Sequence, residues 1–294
     1  MNKFKQIVIA VSLAACAGVT PVHAKETQVQ DGIQVRPMPR YRMLASEEQI
    51  EQQSRQQYTA LLSEAQQKGA LAPPNHPQVV RLRTIAERII PFSTRWNPAA
   101  SKWNWQVNLL GSDQVNAFCM AGGRIAFFNG ILTKLKLTDD EAAAIMGHEI
   151  AHALREHGRE QMVKSAGTSI GMRLGGALLS GVLGIDPRMT DTVAQYGSQL
   201  VSLKFSRDDE READLIGLDL AARAGYDPRA GIALWQKMGT LSKSAPPAFL
   251  STHPGGSDRI RQMKDHMDVL LPLYARAKGT SPSRLAPYRT TSIR

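Results

Sequence analysis

Apolar residues recur along this chain with two different periods, and the change between them divides it. From Ser46 to Gly69 a Glu-, Gln- and Ala-rich stretch places Ile50, Tyr58, Leu61 and Leu62 on one narrow stripe, which predicts an amphipathic helix. Ala70 to Pro77 interrupts it with Pro73, Pro74 and Pro77. A second helix is predicted through Val79, Val80, Leu82, Ile85, Ile89 and Ile90, ending before Pro91. Between Trp103 and Leu132 the period falls to two: Trp105, Val107 and Leu109 alternate, and Ile125 to Phe128 follows Gly122-Gly123. That pattern predicts a small sheet with a hairpin or bulge at the glycines. The remainder reads as helical, so the expected fold class is α+β with helices dominant.

The run from Ala166 to Ile185 is almost wholly apolar or glycine and approaches the length of a membrane span. Arg173 near its middle argues against lipid. So does topology: the run lies between two motifs assigned below to one site, and a single crossing would separate them. A return crossing would need a second apolar run, but Asp186 to Phe205 carries Asp186, Arg188, Asp191 and Lys204. The run is therefore expected to be a buried or covering helix pair near the site.

The first residues follow a different logic. Lys3 and Lys5 precede an apolar run from Ile7 to Val19, then Pro21 and the small-residue pattern Val22-His23-Ala24, which reads as a secretory signal peptide over residues 1–24. Leu13-Ala14-Ala15-Cys16 also fits a bacterial lipobox, with Cys16 lipidated and the leader ending before it; both routes export the protein, and the lipid would anchor it. After cleavage behind Ala24 only Cys119 remains, so no internal disulfide forms. Cys119 is expected to be a small buried residue. The formal charge of +10 falls to +8 once Lys3 and Lys5 are removed, with 34 basic against 26 acidic residues. Residues 271–294 carry five basic side chains and no acidic one, read as a flexible basic tail able to touch anionic lipid. Nothing interleaves aromatic with basic residues, and no nucleic-acid partner is expected.

The chemistry sits in the helical part. Thr138-Asp139-Asp140-Glu141 forms a capping box, so a helix starts there and runs through His148-Glu149-Ile150-Ala151-His152. At about 100° per residue, four positions turn about 400°, so His148 and His152 lie on one face and can grip one ion. Glu149 falls on the adjoining edge, within reach of a water beside the metal without being a ligand. The apolar flanks, Ala142 to Met146 and Ile150 to Leu154, would make two unpartnered histidines costly to bury, so a solvated helix is the weaker reading.

The third ligand separates the zinc hydrolases. A metzincin needs glycine three residues after His152 and histidine three further on, where this chain has Arg155 and Gly158. His157 is out of register and is expected at the surface or against a carbonyl. Downstream, Ser206 to Asp214 opens another helix, in which Glu210 and Asp214, four apart, share a face. One carboxylate can bind metal while the other accepts a hydrogen bond from a ligand histidine. Glu212 is expected to point away, and Asp208, Asp209 and Arg211 to form a charged surface.

With these motifs the chain resembles the HtpX and CaaX-prenyl-endopeptidase family of zinc metallopeptidases. The likeness rests on the H-E-x-x-H segment, on Glu210-Arg211-Glu212-Ala213-Asp214 as an E-x-x-A-D signature, and on Val115-Asn116-Ala117-Phe118 ahead of the Gly-Gly turn. It extends over residues 75–270 and is most marked toward exported bacterial members. The resemblance implies a zincin-type domain with one Zn2+, Glu210 as third ligand beside His148 and His152, and Asp214 behind them. It also draws in Ser251-Thr252-His253-Pro254 and Asp258-Arg259, implying that His253 lies over the metal and that Arg259 lines the cleft. One departure is Met120-Ala121-Gly122-Gly123, where the family often has Leu-Pro-Gly-Gly.

The expectation is thus an endopeptidase in which Glu149 moves the proton and His253 or Arg259 meets the oxyanion, with an extended substrate added beside the Asn116–Phe128 hairpin. The family likeness implies quality control of unfolded or misassembled envelope polypeptides in the periplasm, with outer-membrane attachment if Cys16 is lipidated. The rival is an assembly factor with a dormant or structural zinc site; an aminopeptidase would need an acidic cluster for the substrate amine, and no motif supplies one. The expected organisation is a leader over 1–24, a linker and helical extension over 25–74, the protease domain over 75–270, and the tail.

Overall fold

The computed structural model describes residues 31–168, 205–241 and 248–292. The leader with Cys16, and the apolar run beyond residue 168, lie outside the described residues. No described helix is long and apolar enough to cross a membrane.

The period-two segment forms a three-stranded sheet of β1 (Gln106–Leu110), β2 (Ala117–Met120) and β3 (Arg124–Phe128) in the order β1-β3-β2. β1 runs parallel to β3, and β2 pairs antiparallel with β3 through a tight hairpin. Both turn glycines adopt left-handed φ, +78° at Gly122 and +82° at Gly123, which explains why the pair is needed despite the altered residues before it. A Cβ on Gly123 would also meet the Trp105 ring at 2.7 Å.

The first helix, α1 (Glu47–Gln67), is capped by Ser46, whose side chain accepts from the Gln49 amide. Its stripe is Ile50, Tyr58, Leu61 and Ala65. Tyr58, Leu61 and Ala65 pack on Leu110, Ala126 and Phe128 of the sheet. Tyr58 Oη donates to the Ile125 carbonyl at 2.5 Å and accepts from Asn108 at 3.0 Å. The second helix, α2 (Pro77–Ile89), covers β1 and the helix of the H-E-x-x-H motif.

After the short α3 (Asn129–Lys134), the chain enters α4 (Asp139–Leu154) through the expected capping box, with Thr138 and Glu141 bonding reciprocally. Next come α5 (His157–Thr168), α6 (Arg207–Arg223), α7 (Ala230–Leu241), α8 (Ala248–Thr252), α9 (Ser257–Asp265) and α10 (Met267–Ala277). The central contact is α4 against α6. Gly147 of one helix meets Gly217 of the other so closely that a Cβ on Gly147 would lie 2.4 Å from the Gly217 carbonyl oxygen. That backbone approach is what brings the two motif-bearing faces together.

Two expectations about the ends are corrected. The segment before α1 does not behave as a linker from residue 31 on: Ile33 is buried and its amide donates to Asp219 of α6 at 3.0 Å, while Arg36 pairs with Asp209 at 3.1 Å. The basic tail is likewise attached. Helix α10 continues past Pro272 to Ala277, and the extended chain after it is pinned by Arg229 to the Ala286 carbonyl, Tyr288 to Thr138, Thr290 to Glu141 and Lys237 to Thr291. Composition marked this stretch as polar, and its polarity is used in hydrogen bonds to α4 and α7.

Candidate metal centre and active site

His148 and His152 stand one turn apart on α4, both buried, with their Nε2 atoms 3.1 Å apart. Glu210 enters from the first turn of α6, its oxygens 3.6 Å from His148 Nε2 and 3.5 Å from His152 Nε2. His253, just after α8, completes the group with Nδ1 2.9 Å from Glu210 and 3.1 Å from His148 Nε2. One ligand atom from each of these four side chains falls within 4.8 Å of every other, so the group could hold a metal ion. Local structure places His253: the Phe249 amide bonds to the Val115 carbonyl beside the hairpin, the Phe205 amide bonds to Thr252, and the His253 ring stacks on Phe249 at 4.4 Å.

The donor set fits a cation. His148 Nδ1 lies 3.0 Å from Asp214, so its proton belongs there and its Nε2 carries a lone pair. That lone pair faces His152 Nε2 and the Glu210 carboxylate across a buried space. Acceptors converging this closely need a positive charge between them, and imidazole with carboxylate is a donor set that suits zinc.

Electrostatics follow from burial. Burial pushes the Glu149 carboxyl up to about 7, against the pull of His253; its Oε1 is buried with no hydrogen-bond partner among the described residues. Burial also pushes His148 and His152 below the usual histidine range. For His253 burial acts downward but is outweighed by Glu149 and Glu210, which hold it above that range. For Glu210 burial acts upward and is overcome by His253, His152 and Arg259, leaving it well below the carboxylate range.

The cleft beside the group is lined by the β2 edge with Asn116, Phe118 and Met120, by Ile50 of α1, and by Met162 of α5. Glu149, His152 and His253 face into it, as does half-buried Cys119. Arg259 does not, which corrects its expected place. Its guanidinium clamps Asp214 at 2.5 and 2.6 Å and reaches Glu210 at 2.5 Å, with its other face over the Trp235 ring. It lies behind the ligand-type residues and acts on them.

Three further expectations fail. His157 is buried, its Nδ1 3.0 Å from His152 Nδ1. Glu212 does not point to solvent but meets Arg155 at 2.5 Å and His157 at 3.4 Å. Asp209 is buried as the second half of a capping box with Ser206. The sequence signal for His157 was present in its spacing, but a continuous helix would have turned it away. Phe205, stacked on His152 at 4.0 Å, had no signal at all.

A helix bearing His-Glu-x-x-His, laid beside an edge strand and crossed by a second helix carrying the acidic partner, defines a zincin-type metallopeptidase. The chain belongs to Peptidase family M48, whose family model matches residues 78–267. It is 40% identical over 158 residues to the mitochondrial metalloendopeptidase OMA1 of Arabidopsis thaliana, covering 54% of this chain and 30% of the relative. It is 28% identical to the metalloprotease LoiP of Escherichia coli, covering 70% and 77%, and 31% identical to the beta-barrel assembly-enhancing protease of Yersinia pestis, covering 65% and 39%. The chain spans between 30% and 55% of the length of three of its OMA1 relatives.

Proposed function

We propose that this protein is a zinc-dependent endopeptidase, with His148, His152 and Glu210 as the metal ligands and Glu149 as general base. The observation that carries the reading is the convergence of two Nε2 lone pairs and the Glu210 carboxylate in one buried group that could hold a metal ion, beside Glu149, whose Oε1 is buried with no hydrogen-bond partner among the described residues. When bound, zinc supplies the Lewis acidity that activates a water and polarises the scissile carbonyl. Glu149 takes the proton of the attacking water and returns it to the leaving amine. His253, whose Nε2 lies 3.5 Å from Glu149, faces the same space and donates to the developing oxyanion. Asp214 orients His148, and Arg259 holds Asp214 and Glu210 in place. An extended polypeptide lies along β2, bound through its backbone and through apolar contacts with Phe118, Met120, Ile50 and Met162.

Backbone binding in an apolar cleft suits unfolded chains. Together with the leader-like residues 1–24 and the similarity to LoiP and the Yersinia protease, it supports a periplasmic role in quality control of envelope polypeptides. Lipidation of Cys16 would attach the protein to the outer membrane.

The test is cleavage of unfolded casein by the purified protein, with and without a chelator, beside Glu149→Gln. Internal fragments should appear with the wild type alone and vanish with chelator or substitution. Cleavage that survives both sinks the mechanism, and N-terminal mass spectrometry of material recovered from cells separates a start at Lys25 from a lipidated Cys16.

A further inference from the structure

The two histidines of α4 are supported in different ways. His148 Nδ1 faces Asp214, a carboxylate fixed by Arg259. Among the described residues no carboxylate meets His152 Nδ1; it lies 3.0 Å from the Nδ1 of His157. Two ring nitrogens at that distance share one proton, and its owner can be deduced. His152 Nε2 points to His148 and Glu210, where a proton would occupy the place of the metal, so the proton sits on Nδ1. His157 therefore accepts with its Nδ1 and carries its own proton on Nε2, which lies 3.4 Å from Glu212 Oε1. Glu212 is held in turn by Arg155 Nε at 2.5 Å and Arg36 Nε at 3.3 Å. His157, Glu212 and Arg155 are all buried.

The backbone is bent to allow this. Helix α4 ends at Leu154, and Glu156 adopts φ +55°, a left-handed conformation that it shares with only one other non-glycine among the described residues, Lys136. A side chain is sterically disfavoured there. The turn starts α5 at His157 and swings that ring back beneath His152, and the Glu156 carboxylate is braced by Arg42 at 3.2 Å and Arg159 at 2.7 Å.

We propose that His157, backed by Glu212, is the positioning residue for His152, fixing its tautomer and ring plane so that Nε2 is free to bind a metal ion. The proposal rests on the reading of His152 as a ligand. A carboxylate–histidine–histidine relay thus does for one ligand what Asp214 does directly for the other. The loss of such a support weakens metal binding by about 10–100-fold.

The experiment uses the full chain, stripped of metal, titrated with Zn2+ against a chromophoric chelator, with the visible spectrum of the Co2+-loaded protein as a second readout. His157→Ala should weaken zinc binding by about 10–100-fold, and change the Co2+ bands, while the metal-free melting temperature moves little. His157→Asn, whose side-chain oxygen can accept where Nδ1 lies, should restore most of the affinity; His157→Gln, which places its oxygen elsewhere, should not. Glu212→Gln should weaken binding by a smaller factor. Unchanged affinity and an unchanged Co2+ spectrum in His157→Ala overturn the proposal, as does equal behaviour of the Asn and Gln variants, which also decide the matter if the Ala variant does not fold. His152→Ala binding zinc like the wild type overturns the ligand reading itself, an outcome distinct from either.

Discussion

Away from the site, Tyr58 shows how a buried polar atom is satisfied. Its ring fills the contact between α1 and the sheet, and its hydroxyl is the donor to the Ile125 carbonyl. Tyr58→Phe keeps the packing, removes the bond to that carbonyl and strands Asn108 Nδ2, which donates to the Tyr58 hydroxyl, so urea unfolding should show a loss of about 1–3 kcal/mol; no change would mean that Asn108 finds another acceptor. Asp31 is a surface counterpart. Arg276 and Arg223 beside it hold its carboxyl at about 2, below the ordinary 3.8. A depressed folded pKa means stability present above pH 3.8 and lost as the pH falls through about 2. The carboxylate is 40% exposed, and solvent screening limits the gain to about 1 kcal/mol or less. Asp31→Asn should therefore melt slightly lower than the wild type at pH 7, and the difference should close below pH 2. A difference that persisted there would locate its cause in packing.

Among the elements, the crossing of α4 and α6 decides whether there is a site. His148 and Glu210 belong to separate helices and meet because Gly147 and Gly217 let the backbones touch. In a solvent-facing helix, glycine to alanine gains up to about 1 kcal/mol from propensity. Here the added methyl meets backbone, so Gly147→Ala and Gly217→Ala should each destabilise by about 1–3 kcal/mol and lower zinc affinity by moving Glu210 away from the histidines. Thermal melts with zinc titration check both effects, and a stabilised variant with full affinity would refute the close crossing as the cause. Helix α1 lies outside the family match yet walls the cleft with Ile50, Glu51 and Gln53.

At the scale of the whole molecule, the metal is expected to act as a structural tie as well as a reagent. It would join α4 and α6, and binding to the folded state alone stabilises by about 2.7 kcal/mol at a hundredfold excess over Kd. Chelation should lower the melting temperature, and zinc should restore it in proportion to the logarithm of its concentration. Identical melts with and without zinc would remove the metal from this role. The ends belong to the same body: residues 31–36 are tied to α6, and 286–291 to α4 and α7.

Local rules were enough to read much of this protein from its residues. The capping box at Thr138, the helix opening at Ser206, the helical spacing of His148 with His152 and of Glu210 with Asp214, and the glycine hairpin each follow from contacts within a few positions of sequence. Their conformations depend on neighbours, so they are legible without a fold. The residues that were misread depend on distant partners. His157 was expected outside because the left-handed turn at Glu156 is braced by Arg42, 114 positions away. Glu212 was expected to face solvent because nothing near it in sequence announces Arg155 or Arg36. Arg259 was placed in the cleft, and packing on Trp235 put it behind Asp214 instead. Spacing determined which side chains could serve as ligands; the tertiary structure decided which others hold them, because a buried hydrogen bond is made wherever packing brings its two ends together.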